Sequence, residues 1–341
     1  MSLTINGRFL SQRVTGVQRY AREVLARGSQ LANVVAPRRT IRGVRGHLWE
    51  QSILPARVGR SLLWSPCNTG PLAVARQVVT IHDCAFYDQP EVFSRRFVAW
   101  YRWLVPKLAQ RIRRIITISN YSRERLLEVC RVAPEKVVVI PQGVEGRFRP
   151  LPVETVERTR AQLGLPPRYV LFVGALVPRK NLGRLLEAWK TVSPSFPELS
   201  LVLAGGSNQV FREAGLNRLP ASVVTAGYVA DEHLPAVYGG AELFVFPSLY
   251  EGFGLPVLEA MACGVPVLTS NVTSLPEVAG DAALYVDPYR FESIAEGLQT
   301  LLSDRGLHDE LARRGIARAS AYTWDRTAAV TWNVLQETAR D

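Results

Sequence analysis

Short apolar runs alternate along this chain with longer segments whose apolar residues recur every three or four positions, the pattern of strands joined by amphipathic helices. In the first half, 78–81, 114–118 and 137–140 read as buried strands, and Ser119-Asn-Tyr-Ser122 caps a helix through about Val129. A short strand near the start is followed by Thr15-Gly16-Val-Gln-Arg19-Tyr20, which opens a helix to about Ala26. In the second half the strands are 169–173, 199–203, 223–225, 241–246 and 265–268. Such alternation predicts an α/β fold with parallel sheets. A polar, proline-marked stretch at 145–152 divides the chain into residues 1–149 and 150–321. The expected architecture is two Rossmann-like domains facing each other across a cleft, with ligands outside the carboxyl ends of the strands. No repeat with a period of about 20–50 residues is visible, which excludes a solenoid.

Charge sharpens this division. Residues 1–149 hold 25 Lys+Arg against 9 Asp+Glu, a balance of +16, and residues 150–341 hold 16 against 21, or −5. A basic first half points to a polyanionic partner, whether nucleic acid, anionic lipid or a phosphorylated carrier. No apolar stretch is long enough to span a bilayer, and the first residues lack a secretory signal pattern. Cys67, Cys84, Cys130 and Cys263 have neither metal-type spacing nor a disulfide framework, so reduced thiols in a cytoplasmic setting are expected.

The densest candidate chemistry is Glu251-Gly-Phe-Gly-Leu-Pro-Val-Leu-Glu259, directly after the apolar strand 241–246. Gly252 and Gly254 admit a ligand close to the backbone, and Pro256 suits a first helical turn. Free N–H groups and the helix dipole there attract an anion. A carboxylate such as Glu259 accepts hydrogen bonds from vicinal hydroxyls. Together these features suit a sugar joined to a phosphate, although a surface turn with two solvated glutamates has the same composition.

Gly174-Ala-Leu-Val-Pro-Arg179-Lys180-Asn181 follows another strand, so its two cations lie at the same sheet edge and suit a diphosphate. A solvated basic loop is the plainer alternative. Thr80-Ile-His82-Asp83 closes a first-half strand at its carboxyl end, where His82 is either a structural histidine or a ligand contact. Gly16 marks either a ligand approach or an ordinary helix entry. The segment 94–114 interleaves basic and aromatic residues. As a helix it places Phe97, Trp100, Tyr101, Leu104 and Leu108 on one stripe, which suits core packing or a lipid interface. There is no Asp-x-Asp triplet and no P-loop, so positive charge on a diphosphate would come from side chains rather than a metal.

These motifs, with Ala204-Gly-Gly206, Gly227-Tyr-Val229 and Met261-Ala-Cys-Gly-Val-Pro-Val267, resemble the group 1 glycosyltransferases, family 4 of the retaining GT-B enzymes. The resemblance covers most of the chain, is densest from about residue 169 to 288, and extends to bacterial mannosyltransferases of polysaccharide synthesis. It implies that Gly174, Arg179 and Lys180 meet the diphosphate of a nucleotide sugar and Glu259 its ribose. Glu251 with Gly252, Phe253, Gly254 and Leu255 would meet the sugar, Gly227, Tyr228 and Val229 would lie near the base, and His82 would touch the sugar. Gly16 would lie near the phosphates or the acceptor, although many members carry paired glycines where this chain has one.

The resemblance also returns the last helix, about 322–341, to the first domain. It implies transfer of a hexose, GDP-mannose being the first choice of donor, to a glycan or polyprenyl-diphosphate-linked acceptor. The reaction would proceed without metal or other cofactor, at the inner face of an anionic membrane. The alternatives are a UDP-hexose or GDP-rhamnose donor, or a phosphorylase or sugar-nucleotide epimerase of the same fold. A nucleic-acid-binding protein is the remote one, since the basic half lacks any recognised module for that partner.

Overall fold

The computed structural model describes residues 2–340 except 13, 29, 31, 42 and 207–218. It divides into two compact units, Met1–Gly143 with Tyr322–Asp341, and Val144–Ala321. Residues 145–152, a linker by sequence, belong to the second unit, which begins at Val144. Phe148 is buried there with its ring 5.9 Å from that of Tyr238, and Arg147 reaches Asp231 at 3.6 Å.

The first unit holds a six-stranded parallel sheet of β1 (Leu3–Asn6), β2 (Asn33–Val35), β3 (Leu62–Ser65), β4 (Gln77–Thr80), β5 (Arg114–Thr117) and β6 (Val137–Val139), in the order β2-β1-β3-β4-β5-β6. β1, β3 and β4 are buried at every position, their polar residues Thr4, Asn6, Ser65, Gln77 and Thr80 included. Helix Trp324–Arg340 is last in the chain yet packs on this sheet. Trp324, Ala328, Trp332, Leu335 and Ala339 share the core with Tyr20 and Trp64. The Trp332 indole N–H donates to the Val24 carbonyl at 3.1 Å.

The entry of that helix is tight. A Cβ at Gly143 would fall 2.2 Å from the Trp324 amide nitrogen and 2.4 Å from the Thr323 carbonyl carbon. Gly143→Ala is therefore expected to cost about 1–3 kcal/mol by overpacking. Protease release of the C-terminal helix at lower temperature than in the wild type is the check, and equal protection would contradict the packing described.

The second sheet comprises β7 (Tyr169–Val173), β8 (Ser200–Ala204), β9 (Val223–Gly227), β10 (Leu243–Phe246), β11 (Val267–Ser270) and β12 (Leu284–Val286), again all parallel, in the order β12-β11-β10-β7-β8-β9. Counted within the unit this is the 3-2-1-4-5-6 Rossmann order. Chain direction across the sheet reverses between β7 and β10, which opens a crevice outside their carboxyl ends. The loops leaving these two strands carry Arg179-Lys180 and Glu251.

Candidate functional site

Four adjacent strands deliver the second unit's predicted residues to one sheet edge. Gly227 ends β9, and its carbonyl accepts from the Gly205 N–H beyond β8 at 2.6 Å. Gly174 leaves β7, and its N–H donates to the Ala204 carbonyl at 2.9 Å. A 3-10 turn, Pro178–Lys180, then brings Arg179 and Lys180 beside the loop from β10. Tyr228 is exposed, whereas Val229 turns inward.

At the centre, the Glu251 Oε1 accepts from Lys180 Nζ at 2.5 Å and from Arg179 Nη1 at 3.3 Å. Arg179 Nη1 also donates to the Tyr250 carbonyl at 3.0 Å. Lys180 lies 4.3 Å from the Phe246 ring centroid, where the ring face favours a cation. Both Lys180 and Glu251 are buried, at 5% and 7% exposure. Burial alone would raise the Glu251 carboxyl, yet Lys180 and Arg179 hold it below its ordinary value. One carboxylate between two cations leaves a net charge of +1, so the cluster still attracts an anion.

The neighbouring loops are held in unusual geometry. Asn181 adopts φ 62° and donates through Nδ2 to the carbonyls of Pro247 at 3.0 Å and Pro288 at 2.6 Å. Thr273 has φ 61°, rare for a β-branched residue, and its Oγ1 accepts from the Glu251 N–H at 3.3 Å. Ser274 Oγ donates to the carbonyls of Glu251 and Phe253 at 2.9 and 2.8 Å. Strain of this kind persists where the surroundings over-determine it, and it clusters at ligand sites.

Gly252, Phe253 and Gly254 are buried as the turn closes. Gly254, at φ 112°, is the N-cap of helix Leu255–Ala262, a conformation that a side chain would strain. Pro256 lies in the first helical turn, and Glu259 is one turn in. Its Oε2 accepts from the Tyr238 hydroxyl at 2.9 Å, which fixes the carboxylate on its own helix.

Comparison with known proteins gives the family. The family model for glycosyl transferases group 1 matches residues 155–318, and that for Glycosyltransferase Family 4 matches 59–146. The O-antigen chain mannosyltransferase B of Escherichia coli is 32% identical over 279 residues, covering 78% of this chain and 71% of that protein. The chain belongs to the group 1, family 4 glycosyltransferases. The MMP alpha-(1->4)-mannosyltransferase of Mycolicibacterium hassiacum is 30% identical over 296 residues, 79% of this chain and 68% of that one. The serotype-specific mannosyltransferase WbdA of Escherichia coli is 32% identical over 225 residues, 63% of this chain but only 27% of its own length. Among solved structures, Anabaena HepE in complex with UDP and glucose superposes with TM-score 0.75 at 20% identity, covering 97% and 98% of the two chains. WaaG, a glycosyltransferase involved in lipopolysaccharide biosynthesis, gives 0.77 at 15%, covering 98% and 99%. The fold of this glycosyltransferase is therefore GT-B.

In the first unit of the glycosyltransferase, the expected contact residues fare differently. His82 is 2% exposed, lies edge-on to Tyr20 at 4.9 Å, and braces three loops at the sheet's carboxyl edge. Its Nε2 donates to the Pro66 carbonyl at 3.0 Å, Nδ1 accepts from Gln142 Nε2 at 3.4 Å, and its backbone N–H reaches Asn68 Oδ1 at 2.8 Å. The carbonyl partner fixes Nε2 as the protonated nitrogen. Burial pushes the imidazole down to about 4, so it is neutral at physiological pH.

Gly16 begins helix Gly16–Ala26, which Thr15 and Gln18 cap reciprocally. Among the described residues a Cβ built on Gly16 meets nothing within 4 Å, so their packing does not require glycine there. If a phosphate or acceptor approaches this helix start, Gly16→Ala should leave the melting temperature unchanged and lower kcat/KM about tenfold, by roughly one lost hydrogen bond to a charged group. Unchanged kinetics would assign Gly16 to helix entry alone.

Sequence reading passed over a buried network at the first sheet's own reversal point, between β1 and β3. Glu50 Oε2 accepts from Arg8 Nη1 at 3.1 Å and Thr69 Oγ1 at 2.8 Å, and its Oε1 accepts from Asn6 Nδ2 at 2.7 Å. Glu50 sits in a π-helical turn, Trp49–Ile53, a deformation frequent at functional positions. The available signal was a lone carboxylate in a helical stretch, paired with an arginine 42 residues earlier.

Proposed function

We propose that this glycosyltransferase moves mannose from GDP-mannose to a hydroxyl of a polyprenyl-diphosphate-linked glycan, with retention at the anomeric carbon and without a metal, during synthesis of a cell-surface polysaccharide. The observation that carries the reading is the Lys180–Arg179–Glu251 cluster at the reversal point of the second sheet, with net positive charge beside a helix N-terminus. The names of two relatives that match 78% and 79% of this chain, both mannosyltransferases, support the sugar.

In the proposed step the bond between C1 and the diphosphate oxygen breaks while the acceptor oxygen bonds C1 on the same face. The acceptor proton passes to the departing phosphate oxygen. Arg179 and Lys180 meet the charge that builds on the diphosphate, in positions the fold has already set, which is where such groups accelerate most. Glu259, held by Tyr238, accepts from the ribose hydroxyls. Gly227, Tyr228 and Val229 face the base, and Glu251 with the 252–255 backbone holds the sugar. Gly174 gives the diphosphate close access to the loop. His82 acts as a positioning residue that keeps the first unit's edge loops in place. The enzyme would work in the cytoplasm, peripherally on the inner membrane face.

A thermal-shift screen of GDP, UDP and their sugars tests the donor, because selective binding raises apparent stability by mass action. GDP-mannose should give the largest shift. A larger shift with a UDP-hexose would favour a donor like the UDP-glucose in the Anabaena HepE complex, and one with GDP-rhamnose would change the sugar. Product analysis by NMR should show retained anomeric configuration, with full activity in excess chelator. Inverted product, or activity abolished by chelation, would refute the respective part. Product formed without any acceptor would point to an epimerase or phosphorylase.

A further inference from the structure

We infer that Glu251 is an exchangeable counter-ion. It rests on Lys180 and Arg179 until the donor's diphosphate takes them, and then turns to the hydroxyls of the donor sugar. The inference rests on the reading of a nucleotide-sugar donor, and adds how the site tells that donor from the nucleoside diphosphate left after transfer. A diphosphate and the Glu251 carboxylate compete for the same atoms. Lys180 Nζ has the carboxylate at 2.5 Å and the Phe246 ring centroid at 4.3 Å. At 5% exposure, Lys180 has almost no surface for a second anion while the first stays in place.

The frame around this contact holds without the carboxylate. Arg179 Nη1 also donates to the Tyr250 carbonyl at 3.0 Å, and the Arg179 carbonyl accepts from the Leu249 N–H at 2.8 Å. The Glu251 backbone is pinned on both sides, its N–H on Thr273 Oγ1 at 3.3 Å and its carbonyl on Ser274 Oγ at 2.9 Å. Cations and loop therefore keep their places, and only the glutamate side chain has to rotate. Selectivity follows from its burial. A carboxylate at 7% exposure is stable only with a partner. A free nucleoside diphosphate takes the cations and leaves Glu251 unpaired, which weakens its binding. A sugar nucleotide takes the same cations but brings hydroxyls that donate to the displaced carboxylate. Once the sugar has been transferred, Glu251 loses that second partner and competes again for Lys180, which favours release of the diphosphate.

Calorimetric titration of the intact protein and of Glu251→Gln with GDP and GDP-mannose tests the exchange, with the matching pair used if the thermal-shift screen selects another donor. Glu251→Gln should bind GDP about tenfold more tightly. It should bind the sugar nucleotide no more tightly than the wild type does, because the lost sugar contact offsets the freed cations. The preference for sugar nucleotide over diphosphate should thus fall about tenfold, the effect of one hydrogen bond to a charged group. Equal tightening of both ligands would overturn the exchange, as would GDP binding that is unchanged or weaker. A second measurement needs no variant. Anhydromannitol, a mannose without its anomeric oxygen, should lower the Kd of GDP for the wild type, and GDP should lower that of the sugar by the same factor, since both favour the turned carboxylate. Independent binding of the two would overturn the exchange whether or not the variant folds. A wild type that transfers sugar without this coupling would lose the exchange alone. A wild type that binds no nucleotide sugar would lose the donor reading, and the exchange with it.

Discussion

Lys180→Ala is expected to lower turnover by about 100–1000-fold, the effect of removing one group that stabilises developing charge. It should also destabilise the second unit by about 3 kcal/mol, because it strips the nearest partner from a buried carboxylate. The two effects have separate origins and a second substitution separates them. In Lys180→Ala combined with Glu251→Gln the buried charge is gone, so most of the stability should return while turnover stays low. Arg179→Ala should slow turnover on the same order and destabilise less, since its contact with Glu251 is the longer one, 3.3 Å against 2.5 Å.

Glu251→Gln alone should behave in the opposite sense toward a simple nucleoside diphosphate. Removing the carboxylate leaves two cations uncompensated, so GDP should bind more tightly, by roughly tenfold for a charge a few ångströms away in a partly screened site. Transfer should nevertheless slow, because the group proposed to hold the sugar is lost. Calorimetric titration with GDP beside steady-state kinetics gives both quantities. Weaker GDP binding in Glu251→Gln would mean that the carboxylate is not competing with the diphosphate for the same cations, and the proposed assignment would fall.

What the sequence made legible follows from where the information is local. Most strands of the two parallel sheets were readable because buried strands such as 169–173 and 243–246 are continuous apolar runs between turns, whereas β2, β3 and β12 went unread. The pairing of Arg179-Lys180 with Glu251 was readable only as two loops at one sheet edge. That the carboxylate rests on both cations depends on β7 lying next to β10, a non-local fact. Thr273 and Ser274 escaped notice for the same reason, and Asn181 was read only as the end of a motif, since their importance comes from backbone angles and partners far away in sequence. Position at a strand's carboxyl end placed His82 correctly at the sheet edge, but burial cannot be read from position alone. The helix 95–111 was legible as an amphipath, with Tyr101, Leu104 and Leu108 inward. The exposed Val44, Leu48 and Ile53 beside it were not, because a short helical run broken by a π turn has no clean period.

His82 gives the second large effect, a dependence of stability on pH. In the unfolded chain its imidazole takes up a proton below about 6.5, whereas in the folded unit it does so only near about 4. Between these values the unfolded state holds more protons, so stability rises with pH across the window and is lost as pH falls through it. The full loss is about 3 kcal/mol, set by the gap between the two titrations. His82→Gln keeps a donor for the Pro66 carbonyl and removes the titration. Its denaturation free energy should therefore fall less steeply between pH 6.5 and 4 than that of the wild type. Tryptophan fluorescence is the suitable probe, since six of the seven tryptophans lie in the first unit, Trp189 being the exception. Parallel pH profiles for the two proteins would mean that His82 titrates normally in the folded state, with its ring open to water and free of the Pro66 and Gln142 contacts.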